Sequence, residues 1–294
     1  MTRGEAPSYS HGVARLFEMA FARLDHAAAK QVDFAKAWEA YADTHPWNVN
    51  LVDIDGQMFE LVVSVSLPAP PALALAFSDW LSSLRAALDN GLYAWAAEIS
   101  GCDPPPDADK LQFPIARTPS EYRRQSKRLR SLPDDVVERL EIAQPYQSPF
   151  GIESNLLYWL HELARVDRHR TLHVGLGRVA EHHVRIGYPE GVLIAFDESV
   201  DPYDFIDPQL AIARFTMSSP VEAALIRFNP GIGIDPEIRE WEKFRLDGEK
   251  TSLFDRMFYM QVFMRNHIEN MAHAAGVIPN GGFRTFDPDE PADL

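Results

Sequence analysis

A double proline followed by a long run of helical periodicity constrains this chain more than any other sequence feature. Pro70 and Pro71 end one segment and open the next, in which large apolar side chains recur every three or four residues as far as Ser100. The stripe comprises Phe77, Trp80, Leu84, Leu88, Leu92, Trp95 and Ile99. Because such a stripe must be covered by other elements, the pattern predicts a long helix over residues 72–100 with one buried face.

The spacing of apolar residues in the rest of the chain indicates the fold class. Helical spacing predicts further helices over residues 11–42, 119–130, 133–142, 152–170 and 252–275. Alternation predicts a β-hairpin that turns at Asp55-Gly56, and later an antiparallel meander of strands over residues 173–186, 192–197, 210–217 and 223–234. The last helix is apolar nearly all round. We therefore expect an α+β fold with N-terminal helices and one β-hairpin, a C-terminal antiparallel sheet and a buried final helix.

Composition narrows the domain organisation and the class of protein. We expect one α+β domain over residues 1–286, which would divide, if at all, into a helical region (residues 1–171) and a sheet region (residues 172–286), followed by a disordered acidic tail over 287–294. The formal charge of −15 disfavours unspecific attraction to nucleic acid or anionic membranes. Met1–Ser10 lacks the apolar core of a secretory signal and no segment is apolar enough to span a bilayer, which predicts a cytoplasmic protein without membrane association. Without a glycine-rich phosphate loop, no nucleotide cofactor is expected.

Charged residues on two apolar helix stripes form the most distinctive pattern. The stripe of Leu156, Leu160 and Leu163 extends by the same spacing to Asp167 and Arg170, while Arg85 and Asp89 are four residues apart on the long helix. Buried ions need partners, so the simplest arrangement pairs Arg85 with Asp167 and Asp89 with Arg170. This network is either structural or the floor of a polar site, in which His169 or His173 is the acid or base and Arg170 stabilises an anion.

Four ordered motifs carry a resemblance. They are Trp80-Leu-Ser-Ser-Leu-Arg-Ala-Ala-Leu-Asp-Asn90, Phe113-Pro-Ile115, Gln144-Pro-Tyr146 and Leu160-His-Glu-Leu-Ala-Arg-Val-Asp-Arg-His-Arg-Thr-Leu-His173. The chain resembles a family of uncharacterised bacterial proteins in which the first motif reads LRSALDH and the last LxxIDKHRxLH. Asn90 replaces the family's histidine and Arg168 its lysine, which puts in doubt any role that needs those residue types. The family has no known activity, so the resemblance implies a grouping without a mechanism.

A second resemblance concerns Arg168 and His173, whose spacing is similar to the Arg-x4–6-His motif of HEPN-type ribonucleases. It implies a metal-independent ribonuclease with Arg168, His169 and His173 as candidate catalytic residues. From the numbers of arginines and histidines, about two such spacings are expected by chance. The sequence contains two, the other being Arg178 with His183. Our first hypothesis is therefore a non-catalytic binding or accessory protein with a structural charge network, and the ribonuclease is the alternative; whether the chain is an enzyme stays open.

Two further clusters suggest partners. Five histidines lie close together in sequence, but His161-Glu162 has no second histidine at the spacing of a zinc helix, so we expect no bound metal. Arg123, Arg124, Lys127 and Arg128 make one predicted helix locally basic. That helix is a candidate site of contact with nucleic acid. The alternative is that these side chains form a solvent-exposed face whose positive charge offsets the acidic residues elsewhere in the chain.

Overall fold

The computed structural model describes residues 9–169, 174–244 and 251–277. Within these ranges the chain forms two compact units. The first contains residues 9–27, 82–160 and 260–277, and the second contains 28–81, 161–169, 174–244 and 251–259. The predicted single domain over 1–286 stays a prediction, and the predicted acidic tail lies outside the described residues.

The described elements make this an α+β protein, as the sequence predicts. The helices are α1 (Tyr9–Ala42), α2 (Pro71–Ser100), α3 (Pro119–Gln125), α4 (Asp134–Ile142), α5 (Leu156–His169) and α6 (Leu253–Ala274). The strands are β1 (Trp47–Asp53), β2 (Met58–Val65), β3 (Val174–Gly187), β4 (Ile194–Phe196), β5 (Gln209–Met217) and β6 (Arg227–Ile238). Within the described ranges, no helix has both the length and the apolar character needed to cross a membrane.

The predicted hairpin is confirmed at β1 and β2. Its turn is fixed by two carboxylates: Asp53 accepts the Gly56 N–H at 2.6 Å, and Asp55 accepts the Met58 N–H at 2.7 Å. Gly56 has a φ of 81°, which a residue with a Cβ rarely adopts. These local interactions explain why the Asp-Gly signal locates the turn correctly.

The predicted C-terminal meander is correct only in the pairing of β4 with β5, although the strand pairs among the described residues are antiparallel as expected. The hairpin joins the later strands in a four-stranded sheet of order β1-β2-β5-β4, and β3 pairs with β6 in a second sheet. Phe59 of β2 stacks on Phe215 of β5 with ring centroids 5.7 Å apart. Alternation identifies a strand and its buried face, but it does not encode which strand lies beside it.

The predicted buried final helix is α6. Most of its buried apolar side chains form one stripe, which comprises Leu253, Met257, Met260, Met264, Ile268 and Met271. Phe258, by contrast, is 44% exposed. In the first unit, a Cβ at Gly91 of α2 would lie 2.7 Å from the Met271 methyl group of α6, so a small residue permits their close packing. Gly276, with a φ of 70°, ends the helix as predicted.

Candidate functional site

Arg85 and Asp89 bind the backbone of Phe113 in the first unit. The Arg85 guanidinium donates to the Phe113 carbonyl at 2.6 Å and to the Asp89 carboxylate at 3.1 Å. The same carboxylate accepts the Phe113 N–H at 2.8 Å. Burial raises the pKa of Asp89, although the Arg85 charge and the Phe113 N–H oppose that rise. This i, i+4 ion pair therefore holds a neighbouring segment in place.

Two glutamines bind the next residues of that segment in the same way. Gln125 accepts the Ile115 N–H at 3.1 Å and donates to the Ile115 carbonyl at 2.8 Å. Gln144, which is 1% exposed, accepts the Ala116 N–H at 2.8 Å and donates to the Pro114 carbonyl at 3.0 Å. Side chains thus satisfy the backbone groups that a neighbouring strand would otherwise bind. We call residues 113–116 the clamped segment.

The clamped segment connects three of the four motifs found in the sequence. The polar residues of the first motif (Arg85 and Asp89) and of the third (Gln144) all bind the backbone of the second, which begins at Phe113. Sequence reasoning identified these residues but not their common target. Because almost every residue has the same main-chain groups, the identity of a residue does not show whether a side chain elsewhere binds its backbone.

The charged end of α5 is described only incompletely. Asp167 is half-buried and accepts a hydrogen bond from the Ser78 hydroxyl at 2.6 Å, within the second unit. Arg168 is exposed, and its Nε donates to the Ala164 carbonyl of its own helix at 3.1 Å. The pairing of Arg85 with Asp167 stays a prediction. Arg170, His173 and the side chain of His169 lie outside the described residues, and so does the predicted pairing of Asp89 with Arg170.

Two of the clustered histidines lie on β3. His182 makes an edge-to-face contact with Tyr203 at 6.3 Å, and burial lowers the pKa of its imidazole, with a smaller contribution from His183. Among the described residues, no group of three or more His, Cys, Asp or Glu side chains is placed to hold a metal ion.

The basic segment is partly used in local contacts. Arg128 donates to the Gln112 amide oxygen at 2.7 Å, while Arg123, Arg124 and Lys127 are exposed on α3 and the 3-10 turn Ser126–Leu129. Nearby Arg130 binds Asp107 through two nitrogens, at 3.0 and 2.8 Å. Nucleic-acid binding by these side chains stays a prediction.

A buried ion pair in the second unit was not predicted from the sequence. Arg256 of α6 and Glu237 of β6 are each 1% exposed and are joined by a hydrogen bond. Arg256 also donates to the Trp241 carbonyl at 2.6 Å and lies over the Trp241 ring, 5.1 Å from its centroid. Arg178 lies 3.6 Å from the other Glu237 oxygen. Every partner is distant in sequence, so no periodicity reveals the pair.

The first unit contains two adjoining cavities of about 350 and 380 Å³. Both are lined by Ile142, Ala143, His267 and Asn270, and we call them together the His267 pocket. Aromatic rings of Trp95, Phe113 and Phe263 contribute to its walls. The pocket therefore has the size that is typical of sites for small molecules, with polar side chains predominating around the first cavity and apolar side chains around the second.

His267 has an apolar environment within this pocket. Its ring meets Phe263 edge-to-face at 4.8 Å and Phe113 edge-to-face at 6.0 Å. Burial lowers the pKa of His267 to about 4, because the charged imidazolium would lose its hydration there. The imidazole is therefore neutral at physiological pH and offers one donor and one acceptor. The sequence signal for this site was a histidine that follows Phe263 by four residues on α6, and the sequence analysis did not single it out.

Comparison of the chain with protein-family models, with curated proteins and with solved structures finds no match in any of the three.

Proposed function

We propose that this chain is a non-catalytic binding protein whose ligand site is the His267 pocket. The observation that carries the proposal is the pair of adjoining cavities, which are lined by aromatic and aliphatic side chains together with amide and imidazole groups. Specific small-molecule sites in proteins typically have about 300–1,000 Å³ and this mixture of groups. The proposal places the ligand in the first unit and retains the expected cytoplasmic location.

The contacts of the charged motif residues support a structural role for them. Arg85 and Asp89 bind each other and the Phe113 backbone, and Gln144 binds the backbone on either side of Ile115. Groups committed to main-chain partners cannot act on a substrate without breaking those bonds. In this proposal the motifs shape the clamped segment, and Phe113 at its start contributes to the pocket wall.

Filling the pocket tests the proposal. Ala143 is half-buried, follows the last turn of α4 and lines both cavities, so Ala143→Phe inserts a ring there. Ala143→Ser is the matched control. A small-molecule fragment library is screened against each protein by ligand-observed NMR, and the melting temperature of each is recorded.

We expect wild type and Ala143→Ser to share fragments that compete with one another, and Ala143→Phe to lose them while its melting temperature stays within a few degrees. Fragments that bind all three proteins equally would place the site elsewhere. A library without a single binder would refute the proposal.

The ribonuclease alternative is tested independently. Wild-type protein and His173→Ala are incubated with a fluorogenic single-stranded RNA in the presence of EDTA. The binding proposal predicts no cleavage by either protein above a buffer control. Cleavage that is lost with His173→Ala, and also with Arg168→Ala, would replace the binding proposal by the metal-independent ribonuclease.

A further inference from the structure

The chemistry of the His267 pocket restricts the charge of its ligand. Among the described residues that line the two cavities, none carries a carboxylate, so a cationic ligand would find no counter-charge. Besides His267, the basic side chains in this described lining are Arg139, which is 64% exposed and lies 4.0 Å from Asp135, and the exposed His273. An ion bound against these walls would therefore lose part of its hydration without a buried counter-charge, which is unfavourable.

Polar groups in the pocket favour a ligand that both donates and accepts hydrogen bonds. Asn266 and Asn270 lie one turn apart on the exposed side of α6, and both line the pocket with His267. An amide carries a donor and an acceptor, as does a neutral imidazole. In the described structure none of these three side chains forms a hydrogen bond with another residue. Their bonding capacity remains for water or a ligand.

Aromatic rings of the pocket favour a flat ligand. Phe263 and Phe113 flank His267, and Trp95 and Phe113 line the second cavity. Such rings contact other planar groups in offset-stacked or edge-to-face arrangements, beyond the general gain from burying apolar surface.

We propose that the His267 pocket binds an uncharged, flat molecule that presents an amide-like donor and acceptor edge to His267 and Asn270. This inference rests on the proposed function and adds the chemical class of the ligand. It involves no bond-making step.

Three probes of nearly equal shape separate the charge classes. Benzamide is neutral, benzoate is its anionic analogue and benzamidine is its cationic analogue at pH 7. Their affinities for the full chain are measured by ligand-observed NMR titration up to millimolar concentrations. We expect benzamide to bind at least about ten-fold more tightly than either ion, since each ion would be desolvated without a partner.

The contribution of the imidazole is tested by His267→Leu, with His26→Leu as the matched control. His26 is exposed on α1 and lies outside both cavities. We expect His267→Leu to weaken benzamide binding about ten-fold, the size of effect that the loss of one hydrogen bond produces, and His26→Leu to leave it unchanged. Circular dichroism confirms that both variants are folded.

The possible outcomes separate this inference from the function on which it rests. Benzoate or benzamidine binding as tightly as benzamide, with sensitivity to Ala143→Phe, would overturn the ligand class and leave the binding site in place. An unchanged benzamide affinity in folded His267→Leu would likewise overturn the inference. If fragments of other chemistry bind and compete but benzamide does not, the class is wrong. If nothing binds, both proposals fail.

Discussion

At the scale of single residues, the most informative feature is the set of side chains that replaces a neighbouring strand along the clamped segment. Gln125 binds both backbone groups of Ile115, and the pair of Arg85 and Asp89 binds both backbone groups of Phe113. Pro114, between them, has no N–H to satisfy. The segment is therefore held by side chains and does not belong to a strand or a helix.

Asp89 gives the sharpest test of the clamp. Asp89→Ala removes the acceptor of the Phe113 N–H and the partner of Arg85, and we expect it to lower the free energy of unfolding by roughly 2–4 kcal/mol. Asp89→Asn retains an acceptor and should cost only about 1 kcal/mol. Urea unfolding of both variants measures the difference. Equal losses would show that the backbone bond contributes little.

The sequence predicted some of this arrangement. The spacing of Arg85 and Asp89 permits the ion pair that forms within α2, because residues four apart on a helix face the same side, although the predicted partners were Asp167 and Arg170. It could not indicate Phe113 as their common partner, since any residue has the same N–H and carbonyl. For the same reason Gln144 appeared only as a member of a motif, whereas its carboxamide is fully buried and binds three backbone groups.

At the scale of elements, hydrophobic periodicity predicted most of the helices and strands. It did not predict which strands pair with each other. The hairpin was placed correctly because its turn is fixed by neighbours in sequence. The pairing of β2 with β5 and of β3 with β6 depends on contacts between distant residues. The same limit explains why the buried pair between β6 and α6 went unpredicted.

That pair provides a prediction about how the elements are held together. Glu237→Leu leaves the buried Arg256 and the nearby Arg178 without their shared carboxylate, whereas Arg256→Met leaves Glu237 still facing Arg178. We expect a loss of about 3–5 kcal/mol for Glu237→Leu, a smaller loss for Arg256→Met, and a smaller loss for the double variant than for Glu237→Leu alone. Chemical denaturation of the three variants measures this order. Strictly additive losses would contradict the described ion pair.

At the scale of the whole molecule, the residues that line the His267 pocket come from several segments of the chain, and no single motif contains them all. Its lining comes from α2, the clamped segment, the end of α4 with the following loop, and α6. The sequence motifs therefore indicated the charged residues but not the pocket. The grouping of Asn266, His267 and Asn270 on one helix, close to the aromatic Phe263, is the sequence signal that would have indicated it.

The depressed pKa of His267 predicts a pH dependence of global stability. In the unfolded chain the pKa of His267 has its ordinary value near 6.5, whereas in the folded chain it is about 4. As the pH falls, the unfolded chain therefore binds a proton at His267 before the folded chain does. Stability is therefore lost as the pH falls from 6.5 towards 4, by an amount on the order of 2 kcal/mol. We expect His267→Leu to lack this component. Urea unfolding at pH 7 and pH 4.5 is the measurement.

His26→Leu is the control for that comparison, because His26 is exposed. It should follow the wild-type dependence, since both proteins contain the same carboxylates and the same His267. If the stability curves of wild type and His267→Leu were parallel between pH 4.5 and 7, the lowered pKa of His267 would be refuted.

Binding of small molecules at the His267 pocket is tested by mapping benzamide onto the backbone amide signals of the labelled protein. We expect the largest chemical-shift changes at Ala143, His267 and Asn270, which line both cavities. The proposed binding site predicts small changes along β2 and β5. Changes centred on α5 or on the sheet, or no change at millimolar benzamide, would contradict it.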